Sequence, residues 1–310
     1  MKVIWRYFVS YHKDVSHPIG LYLSITLFLA ALTTFNYTFK LERWLDKLNP
    51  DFMPYLGHFV MFSFIYAFIV WLCLRFKVID NVFRDKAFIL KSILMLLILT
   101  IDVCFKIHQD IIKEVFSTSN RFYMYRVIGQ FTSIITVIVP LIVYYKWKEK
   151  HDQSLYGLKA SARKVGQYLP LILLMAPLIA IASFEESFRH FYPIFRTYNL
   201  FFDWSVEARA LLFELAYGFD FMTTEFLFRG FMVLGFTYFL GPRAVLPMVG
   251  LYVALHFGKP AGETIGSFFG GYILGVLAYK SKNIWGGIIA HMGIAWLMEL
   301  FAYLQKTYNP

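Results

Sequence analysis

The chain contains a succession of apolar segments that are each long enough to cross a lipid bilayer. A transmembrane helix needs about 20 mostly apolar residues. Candidate segments occupy residues 19–38, 54–75, 88–105, 128–146, 167–184, 206–240, 244–257, 264–279 and 284–304. The sequence is 58% hydrophobic and 20% aromatic, which is far more apolar surface than one globular core requires. We therefore predict an all-α, polytopic transmembrane helical bundle with about eight or nine spans.

The charge distribution fits an integral, multi-pass membrane protein. The formal net charge is +10, but lysine and arginine lie mostly in the loops, where anionic lipid headgroups attract them. We therefore expect membrane lipids as partners and no nucleic acid. Basic loops near residues 77–86 and 146–164 predict a cytoplasmic N-terminus by the positive-inside rule. The first apolar segment is followed by further spans, so it is predicted to be retained rather than cleaved.

Ionisable residues divide the chain into two regions. Residues 1–204 are predicted to form an accessory transmembrane region, with a short amphipathic helix at the membrane interface near 156–166. Residues 205–304 form the second region, whose apolar segments carry most of the buried charges. These are Glu214, Asp220, Glu225, Arg229, His256, His291 and Glu299. We interpret Glu214 and Glu299 as polar contacts between helices or interfacial groups.

One helical stretch, Thr224-Glu225-Phe226-Leu227-Phe228-Arg229-Gly230, holds an acid and a base four residues apart among apolar side chains. Each charge at the middle of a bilayer costs roughly 2.5 to 3.5 kcal/mol on insertion scales. The four-residue spacing places Glu225 and Arg229 on one helix face, where they can pair. Such a buried pair is typical of a functional site.

Two further elements follow this stretch along the chain. Tyr252 and His256 lie one helical turn apart near the end of an apolar segment. His291 lies in the last segment, after a glycine-rich span and the sequence Lys282-Asn283-Ile284-Trp285. A lone histidine in a membrane helix is usually a buried hydrogen-bonding group, but here two histidines accompany a buried ion pair. The combination favours a catalytic site.

In order and spacing, these three elements resemble the CAAX-prenyl-protease and bacteriocin-processing family of intramembrane proteases, also called the CPBP or Abi family. Its motifs are Glu-Glu-x-x-x-Arg, an aromatic residue with histidine four positions later, and His-x-x-x-Asn or Asp. Glu225 and Arg229 match the first motif, Tyr252 and His256 the second, and His291 begins the third. The resemblance covers roughly residues 205–304 and implies an intramembrane endopeptidase.

Two positions depart from the family pattern. Thr224 stands where the family has the glutamate that activates the hydrolytic water, and Ala295 stands where it has asparagine or aspartate. A threonine hydroxyl cannot accept a proton near neutral pH. Loss of a positioned base typically slows catalysis about 100- to 10,000-fold, and loss of an oxyanion donor about 100- to 1,000-fold.

Two substitutes for the missing base remain open. Asp220 lies one helical turn before Thr224, roughly 6 Å along the axis, although hydrogen bonding between helices is its more ordinary role. Alternatively, Glu225, His256 and His291 resemble the two-histidine, one-carboxylate ligand set of zinc enzymes. The His-Glu-x-x-His pattern of many zinc proteases is missing, so a divalent metal such as zinc stays an open hypothesis.

The sequence thus leaves two main interpretations of function. The first is a membrane endopeptidase that hydrolyses a lipidated, CAAX-like or otherwise hydrophobic peptide at an intramembrane site. The second is a catalytically degenerate, protease-like membrane protein that acts as a binding partner, scaffold or immunity factor. A transporter is a third interpretation, but the two halves show no inverted repeat of broken helices.

Overall fold

The structure, a computed structural model, describes residues 2–15, 18–149, 154–196 and 204–308, without the side chains of 162–164. Within these ranges the regular structure is entirely helical. The α-helices in chain order are α1 (Lys2–Asp14), α2 (Ile19–Phe39), α3 (Leu41–Leu45), α4 (Met53–Arg75), α5 (Lys86–Cys104), α6 (Ile107–Val115), α7 (Thr118–Gly129), α8 (Val139–Lys148), α9 (Leu169–Ala182), α10 (Glu186–Phe191), α11 (Val206–Glu225), α12 (Thr237–Leu240), α13 (Val245–Leu255), α14 (Ala261–Ser281) and α15 (Trp285–Tyr308). Wider π-helical turns occupy Ile134–Ile138 and Phe226–Gly235.

Eight helical segments in the described ranges are long and apolar enough to span a membrane. They are Ile19–Phe39, Met53–Arg75, Lys86–Val115, Thr118–Lys148, Val165–Ala182, Thr237–Leu255, Ala261–Ser281 and Trp285–Tyr308. The predicted all-α polytopic bundle is therefore confirmed, with the expected number of spans. The segment predicted at 206–240 is also helical, but it is not among the eight, and it is the segment that carries Asp220, Glu225 and Arg229.

Side-chain burial agrees with a bundle whose outer surface is apolar. Leu27, Leu173 and Ile181 are among many large apolar side chains that are exposed. A surface of this kind is unfavourable in water and suits contact with lipid tails. Inside the bundle, Phe62 of α4 and Met95 of α5 are completely or almost completely buried. The apolar segments are thus shared between lipid-facing and core-facing residues.

The helices that carry the three sequence motifs pack around one another. The π-helical segment Phe226–Gly235 contacts α13 and α14, and α13 also packs against α4. The last helix, α15, packs against α9 and α11. The three motifs lie on α11 and the π-helical segment that follows it, on α13 and on α15, so this packing brings them into one part of the bundle.

A buried lysine joins the predicted accessory region to the last third of the chain. Lys91 of α5 is 2% exposed, and its Nζ forms an ion pair with Glu149 and donates to the carbonyl oxygen of Gly235. The Tyr156 hydroxyl donates to the other oxygen of Glu149. Aromatic rings surround the ammonium group at 5.1–5.9 Å from Nζ to the ring centroids; they belong to Tyr144, Tyr156, Phe231 and Phe236.

The segment predicted to be a short amphipathic helix near 156–166 contains no α-helix. Residues 154–159 form turns, and a 3-10 helix begins only at Ala162 and ends at Tyr168. Leu155, Tyr156 and Gly157 have φ values of 47°, 53° and 81°, which an α-helix cannot accommodate. The side chains of Arg163 and Lys164, which suggested the amphipathic pattern, lie outside the described residues.

Candidate active site

Glu225 and Arg229 form an ion pair in the interior of the bundle. Glu225 ends α11 and Arg229 lies in the π-helical segment, and both side chains are 0% exposed. Their Oε1 and Nη1 atoms are 2.8 Å apart. The four-residue spacing therefore places the two side chains on one helix face, and they pair with each other as predicted. Wide π-helical turns often occur at functional sites.

Tyr252 connects the second motif to this ion pair. Its ring lies against the guanidinium group of Arg229, with the Cζ atom 4.2 Å from the ring centroid. A cation over an aromatic face is attracted by the ring quadrupole, by about 2 kcal/mol when the pair is desolvated. Tyr252 is 4% exposed and lies on α13. The aromatic residue of the second motif thus gives Arg229 its second favourable contact.

His291 of α15 lies between Glu225 and Tyr252. Its Nδ1 is 3.0 Å from Oε1 of Glu225, and its Nε2 is 3.1 Å from the hydroxyl of Tyr252. An ionised carboxylate can only accept hydrogen bonds, so Nδ1 carries the proton and donates it to Glu225. Nε2 of the neutral ring then accepts from Tyr252. The ring of Phe221 packs against His291 at a centroid distance of 4.3 Å.

A glycine makes the contact between α15 and Glu225 possible. Gly287 lies one turn before His291, and a Cβ atom at position 287 would clash with Oε2 of Glu225. Because Glu225 is fully buried and ion-paired, it has little room to move away. Gly287 was not identified from the sequence, where it appeared only as part of a Gly-Gly pair after Trp285.

His256 follows α13 directly and faces a different group. Its Nδ1 donates to the backbone carbonyl oxygen of Tyr252 at 2.7 Å, which leaves Nε2 of the neutral ring as an acceptor. Nε2 lies 4.0 Å from Oε1 of Glu263, and the rings of His256 and Tyr252 pack with centroids 4.6 Å apart. Tyr252 therefore contacts both histidines of the predicted site.

Glu263 was not recognised as a site residue from the sequence. It lies in the first turn of α14, where an acidic residue is ordinary because it complements the helix dipole. In the structure its side chain is only 14% exposed, pairs with Lys259 at 2.8 Å and accepts from the Tyr192 hydroxyl at 2.8 Å. The local sequence signal, Lys259 four residues before Glu263, predicts a helix-start ion pair but not its proximity to His256.

The two departures from the family pattern have different surroundings. Thr224 is partly exposed, unlike its buried neighbour Glu225. Ala295 is 3% exposed and packs in an apolar cluster with Tyr217 and Phe221. A methyl group in that cluster offers no hydrogen-bond donor. The structure therefore places apolar contacts where the family pattern has an amide or carboxyl group.

Asp220 makes contacts that fit a link between helices. Its Oδ1 accepts from the hydroxyls of Ser133 and Thr223, each at 3.2 Å. Glu299 has a similar structural role, since its carboxylate accepts from the backbone N–H groups of Ile194 and Phe195 at 2.8–3.2 Å. The structure brings Glu225, Arg229, Tyr252 and His291 into direct contact. The contacts of Asp220 with Ser133 and Thr223 do not include these four residues.

The structure does not assemble the predicted zinc ligands. Among the described residues, no three His, Cys, Asp or Glu side chains are grouped so that they could hold a metal ion. Glu225 and His291 are in contact, but Nδ1 of His291 already donates to the carboxylate and His256 faces Glu263. The donor set present here does not fit a zinc centre.

Comparisons with known proteins identify the region that contains this site. The family model described as type II CAAX prenyl endopeptidase Rce1-like matches residues 208–297. Neither the search of curated proteins nor the search of solved structures gives a match. The matched segment contains Glu225, Arg229, Tyr252, His256 and His291. The resemblance seen in the sequence is thereby confirmed, since residues 208–297 match the model of Rce1-like type II CAAX prenyl endopeptidases.

Proposed function

We propose that the protein is an integral membrane endopeptidase that hydrolyses a peptide bond at the site formed by Glu225, Arg229, Tyr252, His256 and His291. The observation that supports this most strongly is the contact of His291 with both Glu225 and Tyr252. Buried charged groups in a bundle are expensive and usually functional. The family match over the same residues supports hydrolysis rather than transport.

Each side chain has a role that follows from its contacts. Arg229 compensates the charge of Glu225, and Glu225 orients His291 by accepting from its Nδ1. His291 can then donate from Nε2 to developing negative charge on the scissile carbonyl if its ring becomes protonated. His256 offers a lone pair on Nε2, with which it can hold the attacking water. In this proposal Glu225 is a positioning residue.

The proposed substrate is a hydrophobic or prenylated peptide. The family match names CAAX prenyl endopeptidases, and the site lies in a bundle whose outer surface is rich in exposed apolar side chains. A peptide with a lipid or apolar tail would partition into the bilayer beside this surface. Its scissile bond could then reach the site from the membrane.

Cleavage by the purified protein tests the proposal directly. The protein would be reconstituted in lipid vesicles with matched prenylated and unprenylated peptides, and products would be identified by mass spectrometry. We expect the native chain to cleave, and His256→Ala, His291→Ala and Glu225→Gln to lose at least about 100-fold in rate. Matched controls are Glu186→Gln and His190→Ala, whose side chains are about four-fifths exposed. Equal cleavage by site variants and controls would refute the proposal.

A binding or scaffold protein without catalysis is the second candidate. It is favoured by Thr224 and by the apolar packing of Ala295, which remove two groups of the family pattern. In that case the native chain would cleave nothing, while Thr224→Glu combined with Ala295→Asn would gain activity. Silence from every variant would leave the endopeptidase proposal without support.

Two finer points belong to the same proposal. We propose a cytoplasmic N-terminus, which labelling of an introduced Lys13→Cys with a membrane-impermeant reagent would test. Cys73 and Cys104 are buried and so give little background labelling, and Lys13 is exposed.

Elemental analysis of the active preparation tests the zinc hypothesis independently. Activity without stoichiometric metal would exclude zinc.

A further inference from the structure

A second polar cluster lies beside His256. We call it the Glu263 cluster, and it consists of Tyr192, His256, Lys259 and Glu263. Oε1 of Glu263 is 2.8 Å from Nζ of Lys259 and 4.0 Å from Nε2 of His256. Oε2 of Glu263 accepts from the Tyr192 hydroxyl at 2.8 Å. These contacts bring together residues from the loop after α10, the end of α13 and the start of α14.

Glu263 is held in place more firmly than an ordinary glutamate in the first turn of a helix. An acidic residue there is stabilised by the helix dipole but is normally solvated. Glu263 is only 14% exposed, and its partner Tyr192 is 0% exposed. The loop that carries Tyr192 is itself fixed, because Glu299 accepts from two of its backbone N–H groups. A carboxylate that is this constrained can define the position of a water molecule.

The distance between Glu263 and His256 suits a water that bridges the two side chains. A gap of 4.0 Å between Oε1 and Nε2 is too long for a direct hydrogen bond. A water about 2.8 Å from each atom can lie beside the pair and donate one hydrogen to each acceptor. Oε1 has two lone pairs, so it can accept from this water as well as from Lys259.

We propose that Glu263 is the general base of this site. It would take the role of the glutamate that the family pattern has at the position of Thr224. The inference rests on the proposed endopeptidase function. Glu263 takes one proton from water while the water oxygen bonds to the scissile carbonyl carbon, which forms a tetrahedral oxyanion. Collapse of this intermediate breaks the carbon–nitrogen bond. The proton held by Glu263 moves to the leaving nitrogen, so the products are a carboxylic acid and an amine and no other reactant is needed.

The test compares cleavage rates in reconstituted vesicles at saturating and limiting peptide. We expect Glu263→Gln to lower kcat about 100- to 10,000-fold with KM nearly unchanged. Glu263→Asp retains the charge but withdraws the carboxylate by one methylene, and we expect at least a tenfold loss. Glu42→Gln is the matched control, because the Glu42 side chain on α3 lies against Gly258, which belongs to the same loop as Lys259. Adding Thr224→Glu to Glu263→Gln should restore cleavage, because it returns a carboxylate to the position where the family pattern has its base.

The outcomes separate this inference from the proposed function. Cleavage by Glu263→Gln within threefold of the native rate overturns the inference and leaves the endopeptidase intact. An increase in KM with unchanged kcat would assign Glu263 to substrate binding, and this result also overturns the inference. If the native chain is inactive and Thr224→Glu gains activity, the chain lacks a base and the inference fails. If Glu263→Gln does not fold, as judged by size-exclusion chromatography, the Glu263→Asp result decides.

Discussion

The two members of the buried ion pair should differ in how much their removal destabilises the fold. At 2.8 Å separation and an effective dielectric constant of about 20, the coulombic attraction between Glu225 and Arg229 is about 6 kcal/mol. Desolvation of two fully buried charges offsets most of this gain, at several kcal/mol per ion. The net effect of a substitution therefore depends on what the remaining partner still contacts.

The remaining contacts are unequal. Without Arg229, Glu225 still accepts from Nδ1 of His291 at 3.0 Å, and a hydrogen bond to a charged group contributes about 1.5–3 kcal/mol. Without Glu225, Arg229 keeps the ring of Tyr252, and its three side-chain nitrogens form no well-aligned hydrogen bond within the described residues. We expect Glu225→Gln to destabilise by about 3–5 kcal/mol and Arg229→Met by about 2 kcal/mol less.

The measurement is a double-mutant cycle in detergent micelles. Unfolding would be followed by far-UV circular dichroism during denaturant titration of the native protein, Glu225→Gln, Arg229→Met and the double variant. Because the double variant buries no unpaired charge, its stability should lie closer to the native value than that of Glu225→Gln. Equal losses from the two single variants, or strict additivity in the double variant, would refute this account of the pair.

Three further changes test other contacts. Gly287→Ala should displace Glu225, because the added Cβ clashes with Oε2; we expect a cleavage loss of about 100-fold, measured with the vesicle assay and absent if the helix can shift. Lys91→Met leaves Glu149 without its buried charge partner and should destabilise by about 3–5 kcal/mol, a result that an unchanged unfolding midpoint would contradict. Glu299→Gln weakens a charge-assisted contact to a loop backbone by about 1.5–3 kcal/mol; faster proteolysis of that loop is expected, and native resistance would argue against it.

The fold class followed from the sequence because the membrane imposes a simple length requirement. Runs of about 20 apolar residues predict spans without knowledge of packing, and eight candidates appear in the described residues. The sequence did not predict the local backbone conformation near residues 156–166. Lys159 suggested an amphipathic helix near 156–166, but the positive φ values of Leu155, Tyr156 and Gly157 produce turns there.

The pairing of Glu225 with Arg229 was predictable because it depends only on helix periodicity. The contact between Glu225 and His291 joins residues 66 positions apart, so spacing could suggest it only through the family resemblance. Likewise, Lys91 lies in an apolar run that reads as a plain span, and only the packing of α5 against other helices reveals its ion pair with Glu149.

The sequence by itself therefore determined the helical bundle and the internal ion pair, because these depend on composition and on local periodicity. The residues of the three motifs followed from the resemblance to a known family. The tertiary structure decided which groups meet between helices. It placed Glu263 of α14 near His256 of the preceding loop, directed Asp220 toward Ser133, and seated Ala295 in an apolar cluster. These placements depend on how helices distant in sequence pack together, which one-turn spacing along a chain does not specify.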